Sequence, residues 1–229
     1  MSDDAAATVL LVLRLKAFAP VAVVAEAADA TVTDMEAALL RLMDSGWVEY
    51  REGVAPGWSL TASGRRHGAE LLRDELVRGG SRDSVDILYR EFLPMNRELL
   101  AVCTAWQTVE VDGGHVANDH SDPAHDAEVL RRLDELHDSA VPLLERLAGS
   151  SMRFSGYASR LTRAHELVRS GRTEWIARPT LDSYHSVWFE LHEHLLVSLG
   201  LDRTSELDLS ADRSLSTPAN ATTPNGDPK

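Results

Sequence analysis

The chain is short of positive charge and of lysine above all. Its 23 Lys and Arg stand against 36 Asp and Glu, a net charge of −13, and the only lysines are Lys16 and Lys229. This argues against generic binding to nucleic acid or to an anionic membrane, because phosphate contacts rely on cations that release counterions. Cysteine is nearly absent. Cys103, alone among 229 residues, excludes an intramolecular disulfide framework and any zinc site built on several thiolates; that usage fits a cytoplasmic protein. Long apolar runs are missing too, since none reaches the roughly 18 residues of a membrane span. The apolar stretch ATVLLVLRL follows Asp3 and Asp4 and is interrupted by Arg14 and Lys16, so no signal peptide and no membrane partner are expected. The pairings of an enzyme are lacking as well. There is no nucleophile beside a base, no phosphate-cradling glycine loop and no credible carboxylate pair, and Gly79-Gly80 and Gly113-Gly114 read as linkers. Neither catalysis nor a cofactor is expected.

What is present suffices for a packed core: 44% of residues are apolar and 26% charged, the balance of an ordinary globular protein. Three regions separate by pattern. Residues 1–80 alternate short helical patterns with one strand-like pair, and residues 81–203 read as long amphipathic helices. Residues 204–229, rich in Ser, Thr, Pro, Asn and Asp, read as a disordered tail. The expected fold class is mainly α, an N-terminal helix-turn-helix unit with a small β-hairpin followed by a C-terminal antiparallel helical bundle.

Within the first region, Ala6 to Phe18 predict a helix, and VAVVAEAA after Pro20 a second, short one. Thr33-Asp34-Met35-Glu36 matches the S/T-x-x-E capping box of a third. That helix aligns Met35, Leu39 and Leu42 on one face, and Gly46 stops it. WVEYRE (Trp47 to Glu52) alternates as a strand, GVAPG turns, and WSL (Trp58 to Leu60) returns. Thr61 then caps a last helix, TASGRRHGAELLRDELV.

This order, and the string LLRLMDSGWVEYREG…GWSLTASGRRHGAELL in particular, resembles the winged helix of MarR and PadR type bacterial regulators over about residues 8–78. The resemblance implies a dimeric transcription factor whose third helix enters the major groove of double-stranded DNA. Its DNA-facing positions would be Thr31, Thr33, Asp34, Ala37 and Arg41, with Arg51, Arg65 and Arg66 extending the contact. Arg41 would pair with guanine, the threonines would hold phosphates, and Asp34 or Glu36 would accept from cytosine. The sequence departs from those families at the hairpin tip, where Gly53-Val54-Ala55-Pro56-Gly57 carries no arginine. Residues 1–80 also hold 8 Arg and Lys against 12 Asp and Glu. A second expectation therefore stays open: a protein-interaction module whose winged helix does not bind DNA.

Three features of the helical region bear on chemistry. The loop NDHSDPAHD offers Asp119, His120, Asp122, His125 and Asp126, but at no recognised metal-ligand spacing, and Asp122 reads as a helix cap. In YHSVWFELHEH, His185 and His192 share a side and His194 lies on another, an order that is not H-E-x-x-H. These read as packed core histidines, and no metal is expected. Lastly, six arginines from Arg153 to Arg178 face only Glu166 and Glu174. They either offset the acids of the preceding helix or hold a small anionic effector bidentately. The effector site so expected comprises Arg153, Tyr157, Arg160, His185, Trp188 and His192.

Overall fold

The computed structural model describes residues 2–111 and 113–201. The tail expected over 204–229 lies outside the described residues. Helix α1 (Asp3–Lys16) is capped by Ser2, and α2 (Val21–Ala27) follows Pro20. Helix α3 (Val32–Asp44) begins earlier than the Thr33 box predicts. Thr31 is its cap, accepting from the Asp34 amide at 3.1 Å while its hydroxyl donates to Asp34 Oδ2 at 2.7 Å. A cap must be non-helical, and Thr31, at φ −72° and ψ 152°, is the extended residue.

Strands β1 (Val48–Arg51) and β2 (Gly57–Leu60) pair antiparallel, with Val48 opposite Leu60. A third piece of backbone joins them. Ala19, between α1 and α2, exchanges both hydrogen bonds with Trp58, its amide donating at 3.0 Å and its carbonyl accepting at 2.8 Å. Gly57 permits this approach, because a Cβ there would fall 2.6 Å from the Phe18 ring and 2.9 Å from the Ala19 carbonyl. Helix α4 (Ala62–Arg78) is capped by Thr61 as the sequence predicts. Its Gly64 packs on the chain after α3, where a Cβ would sit 1.9 Å from the Trp47 carbonyl oxygen. Leu10, Leu13, Val24, Leu39, Leu42 and Trp58 form the core of this part.

Helices α5 (Arg82–Gln107), α6 (Pro123–Ser150), α7 (Ser155–Arg169) and α8 (Tyr184–Leu199) make the second part, around Tyr89, Phe92, Leu133, Leu144, Leu161 and Leu191. Pro94 and Pro142 lie inside α5 and α6 without ending either helix. The Gly113-Gly114 linker instead belongs to a second hairpin, β3 (Thr108–Val111) with β4 (Gly114–Ala117), in which Gly114 pairs with Val111 and Gly113 lies in the turn before it. Gly113 there adopts φ +78°, which a glycine takes without steric cost.

Helix α8 departs furthest from its sequence pattern. One apolar stripe through Tyr184, Trp188, Leu191, Leu195 and Leu199 predicts burial on one side only. Twelve of its sixteen residues are buried, Glu190, His192, His194 and Ser198 among them. The reason is position: α8 packs on α5 and α7 and also on α1 and α4. Val197 meets Ala7, Leu11 and Leu72 in a small apolar cluster that links the two parts. Among the described residues no helix is long and apolar enough to cross a membrane.

Candidate functional site

Two places gather the residues singled out by the sequence. The first is the outer surface of α3 with the start of α4. Met35, Ala38, Leu39 and Leu42 turn inward, which leaves Thr31, Thr33, Asp34, Ala37 and Arg41 exposed. The first turn of α4 is tied to the end of α3. Thr61 and Ser63 both donate to the Gly46 carbonyl at 2.7 Å, and His67 stacks on Trp47 at 3.9 Å between ring centroids. Arg65 and Arg66 are thereby carried, exposed, beside the C-terminal end of α3. Arg41, Arg65 and Arg66 make no ion pair among the described residues and are exposed. Arg51 is held loosely by Glu49 at 3.8 Å and lies 5.9 Å from the Phe18 ring centroid.

Other side chains share that surface. Val32, Leu40 and Met43 are 45, 50 and 39% exposed, beside exposed Glu36 and Asp44. Val54 at the hairpin tip is wholly exposed. The three apolar residues of α3 escape a reading that follows only the stripe through Met35, Leu39 and Leu42. Their signal is in the sequence all the same, since Val32, Leu40 and Met43 fall off that stripe at helical spacing.

The second place is a cleft of about 690 Å³ between α1 and α2 on one side and α7 and α8 on the other. Arg153, Tyr157 and Arg160 all line it. His185, Trp188 and His192 do not. They lie on α8 away from the cleft, where Trp188 donates to Asn96 Oδ1 at 3.1 Å and His192 packs 5.3 Å from the Phe92 ring centroid. His185 is partly buried, and burial lowers its pKa. The residues of α8 that do reach the cleft are Glu190 and His194, four apart and so one turn above each other.

Most charge in the cleft is paired; Glu26 of α2 lines it as an exposed carboxylate with no ion pair among the described residues. Glu190, with a side chain only 10% exposed, accepts from Lys16 Nζ at 2.5 Å and from Arg160 Nη2 at 2.7 Å. Arg160 also grips Asp182, with Nε 2.9 Å from Oδ2. Burial opposes the charge on Asp182, yet the Arg160 guanidinium holds its carboxyl below the usual carboxylate range. Arg153 joins Glu75 at 2.6 Å, the Asp4 carboxylate, and the Thr8 hydroxyl at 2.9 Å. Among the described residues the expected offset of the preceding helix is met at Asp134, which pairs with Arg169 and His165. Below the ion pairs lie Tyr157, whose pKa is raised by burial and then by Glu190, and His194, 3.2 Å from its hydroxyl. Burial first, then Arg153, pushes His194 down to about 3.

The acidic loop before α6 spends its polar groups on structure. Asp122 caps α6, His120 pairs with Asp126 at 3.0 Å, and His125 Nε2 lies 2.8 Å from the Ala105 carbonyl oxygen. Among the described residues no group of three or more His, Cys, Asp or Glu is placed to hold a metal ion. No family model matches the chain, and neither a curated protein nor a solved structure matches it.

Proposed function

We propose that residues 3–78 are a winged helix-turn-helix that reads double-stranded DNA, and that the protein is a cytoplasmic, homodimeric transcriptional regulator. The observation that carries this reading is the Ala19–Trp58 bridge, which ties the chain before α2 to the return strand of the hairpin. Helices α2 and α3 and the hairpin are held as one unit, as groove docking requires. Arg41, Arg65 and Arg66, exposed and free of ion pairs among the described residues, supply the charge that phosphates and guanine edges need. Thr31 and Thr33 stand at the N-terminal end of α3, where a helix favours phosphate. With so few cations, binding depends on salt and on matching sequence.

Fluorescence anisotropy tests this with duplexes from the DNA upstream of the coding region. Specific binding that weakens as salt rises from 50 to 200 mM is the expected outcome. No binding at low salt by a folded protein overturns the reading.

The exposed Val32, Leu40 and Met43 favour a second reading, in which the same surface of α3 docks on another protein. Substituting Leu40 and Met43 by serine separates the two, because DNA affinity would survive that change and protein docking would not.

A further inference from the structure

We infer that the cleft between α1–α2 and α7–α8 is a binding site for an uncharged, largely apolar small molecule. The inference stands on the cleft alone and holds whether or not residues 3–78 bind DNA. Its size, about 690 Å³, falls within the range that encloses a small organic ligand. One wall is apolar: Leu11, Val12, Leu15, Val23 and Ala27 present hydrocarbon from α1 and α2. The opposite wall carries Gly156 and the ring of Tyr157.

The arginines of this region suggest an anionic ligand when read as sequence, but their pairing in the fold points elsewhere. To receive an anion, Arg160 would have to give up Asp182 or Glu190, and Arg153 would have to give up Glu75 or Asp4. A cation would have to pull Glu190 away from Lys16 and Arg160, or settle for Glu26, whose exposed carboxylate offers only a solvent-screened contact. Displacing Glu190 or Glu75 would strand an acid that is 10 or 32% exposed, a cost that an incoming group in partial contact with water does not recover. Displacing Asp182 or Asp4, 45 and 82% exposed, only exchanges one solvent-screened contact for another. A neutral molecule enters without breaking any pair. It gains by covering the hydrocarbon of α1 and α2 and the Tyr157 ring, and the paired charges form a polar rim around it.

Gly156 gives the means of testing this. A Cβ built on it meets no atom within 4 Å, and its backbone is ordinary helix. A leucine there projects into open cleft without strain, and replacing a helical glycine removes a source of instability. Gly149, near the end of α6, is equally open but does not line the cleft, and serves as the control.

The experiment titrates the full chain with the uncharged fluorophore N-phenyl-1-naphthylamine and with the anionic 1-anilinonaphthalene-8-sulfonate. The uncharged probe is expected to bind saturably, one per chain, and more tightly than the anionic one. Gly156→Leu should weaken it by at least about tenfold with Tm unchanged or raised, while Gly149→Leu leaves it unaltered. Ala27→Phe, which fills the cleft from the other wall, should reproduce the loss if Gly156→Leu fails to fold. Absence of saturable binding, equal binding by both filled variants, or preference for the anionic probe overturns the inference.

Discussion

Helix α3 holds three large apolar side chains in water, Val32, Leu40 and Met43, whereas α8 holds Glu190, His192, His194 and Ser198 out of it. The two helices are of similar length, and each has an inward apolar stripe. What differs is the number of neighbours. Helix α3 packs on α2 and β1 and leaves its outer face open; α8 is wrapped by helices from both parts of the chain. A wrapped helix must satisfy its polar groups internally, as Glu190 does with Lys16 and Arg160. An open helix has no such demand, and apolar residues on it are free to serve a partner. Burial of charge in α8 and exposure of hydrocarbon on α3 thus follow from the same architecture, the packing that surrounds one helix and leaves one face of the other open.

The contrast breaks most readily at Glu190. Replacing it with alanine leaves Lys16 and Arg160 without their shared carboxylate. Both cations are about one-third exposed and Arg160 keeps Asp182, so the loss is smaller than for a fully buried pair, about 2–3 kcal/mol by urea unfolding. A loss below about 0.5 kcal/mol would show that α8 does not depend on that pair.

Next in size is the pH dependence that α8 imposes. His194 has its pKa pushed down from 6.5 to about 3 in the fold. Below pH 6.5 the unfolded chain therefore takes up a proton that the folded one refuses. Its contribution to stability is full above that pH and is lost as pH falls toward 3, by about 1.4 kcal/mol per pH unit. His137, pushed down to about 4 by burial and by His165, adds the same dependence in the window from 6.5 to 4. The double variant His194→Phe, Tyr157→Phe removes both partners of one buried hydrogen bond. Its stability between pH 6 and 4 should fall less steeply, by about 1.4 kcal/mol per unit. An unaltered slope would mean that His194 titrates normally.

On α3 the expected effects are smaller and appear in binding. Arg41→Ala should weaken DNA binding roughly five- to tenfold and relax preference at one base position, read by anisotropy on a panel of single-base variants. Uniform weakening on every duplex would instead make Arg41 a phosphate contact. Smallest of all is Leu40→Gln, which should change stability by no more than about 0.5 kcal/mol in thermal or urea unfolding. A larger loss would mean that Leu40 is covered in the folded protein.

The sequence is most legible where structure is local. Thr61 and Asp122 cap the helices that their side chains and spacing predict. Val48–Arg51 pairs with Gly57–Leu60 as a hairpin, although β1 buries Val48 alone instead of alternating and β2 is buried throughout. The start of α3 is misplaced by two residues because Thr31 and Thr33 both precede an acid at a spacing that allows capping, and only backbone geometry decides between them. The hairpin after α5 escapes notice because two adjacent glycines read equally as a turn or as a linker. Of the cleft, Arg153, Tyr157 and Arg160 are legible, being brought together by a single helix and the turn before it. Lys16, Glu190 and His194 are not. They come from helices some 174 residues apart in the chain, and no periodicity reports a contact of that range.

That same distance bears on how the chain reaches its fold. Synthesis delivers α1 first, but the cluster that covers its outer side needs Val197, and Arg14 and Lys16 meet their carboxylates only when Glu193 and Glu190 exist. Until then Ala7 and Leu11 of α1 and Leu72 of α4 cover one another but leave open the side that Val197 closes. The parts of the molecule that meet in the cleft are thus joined last, and a polypeptide stopped short of α8 keeps an apolar seam open to chaperones and to other copies of itself.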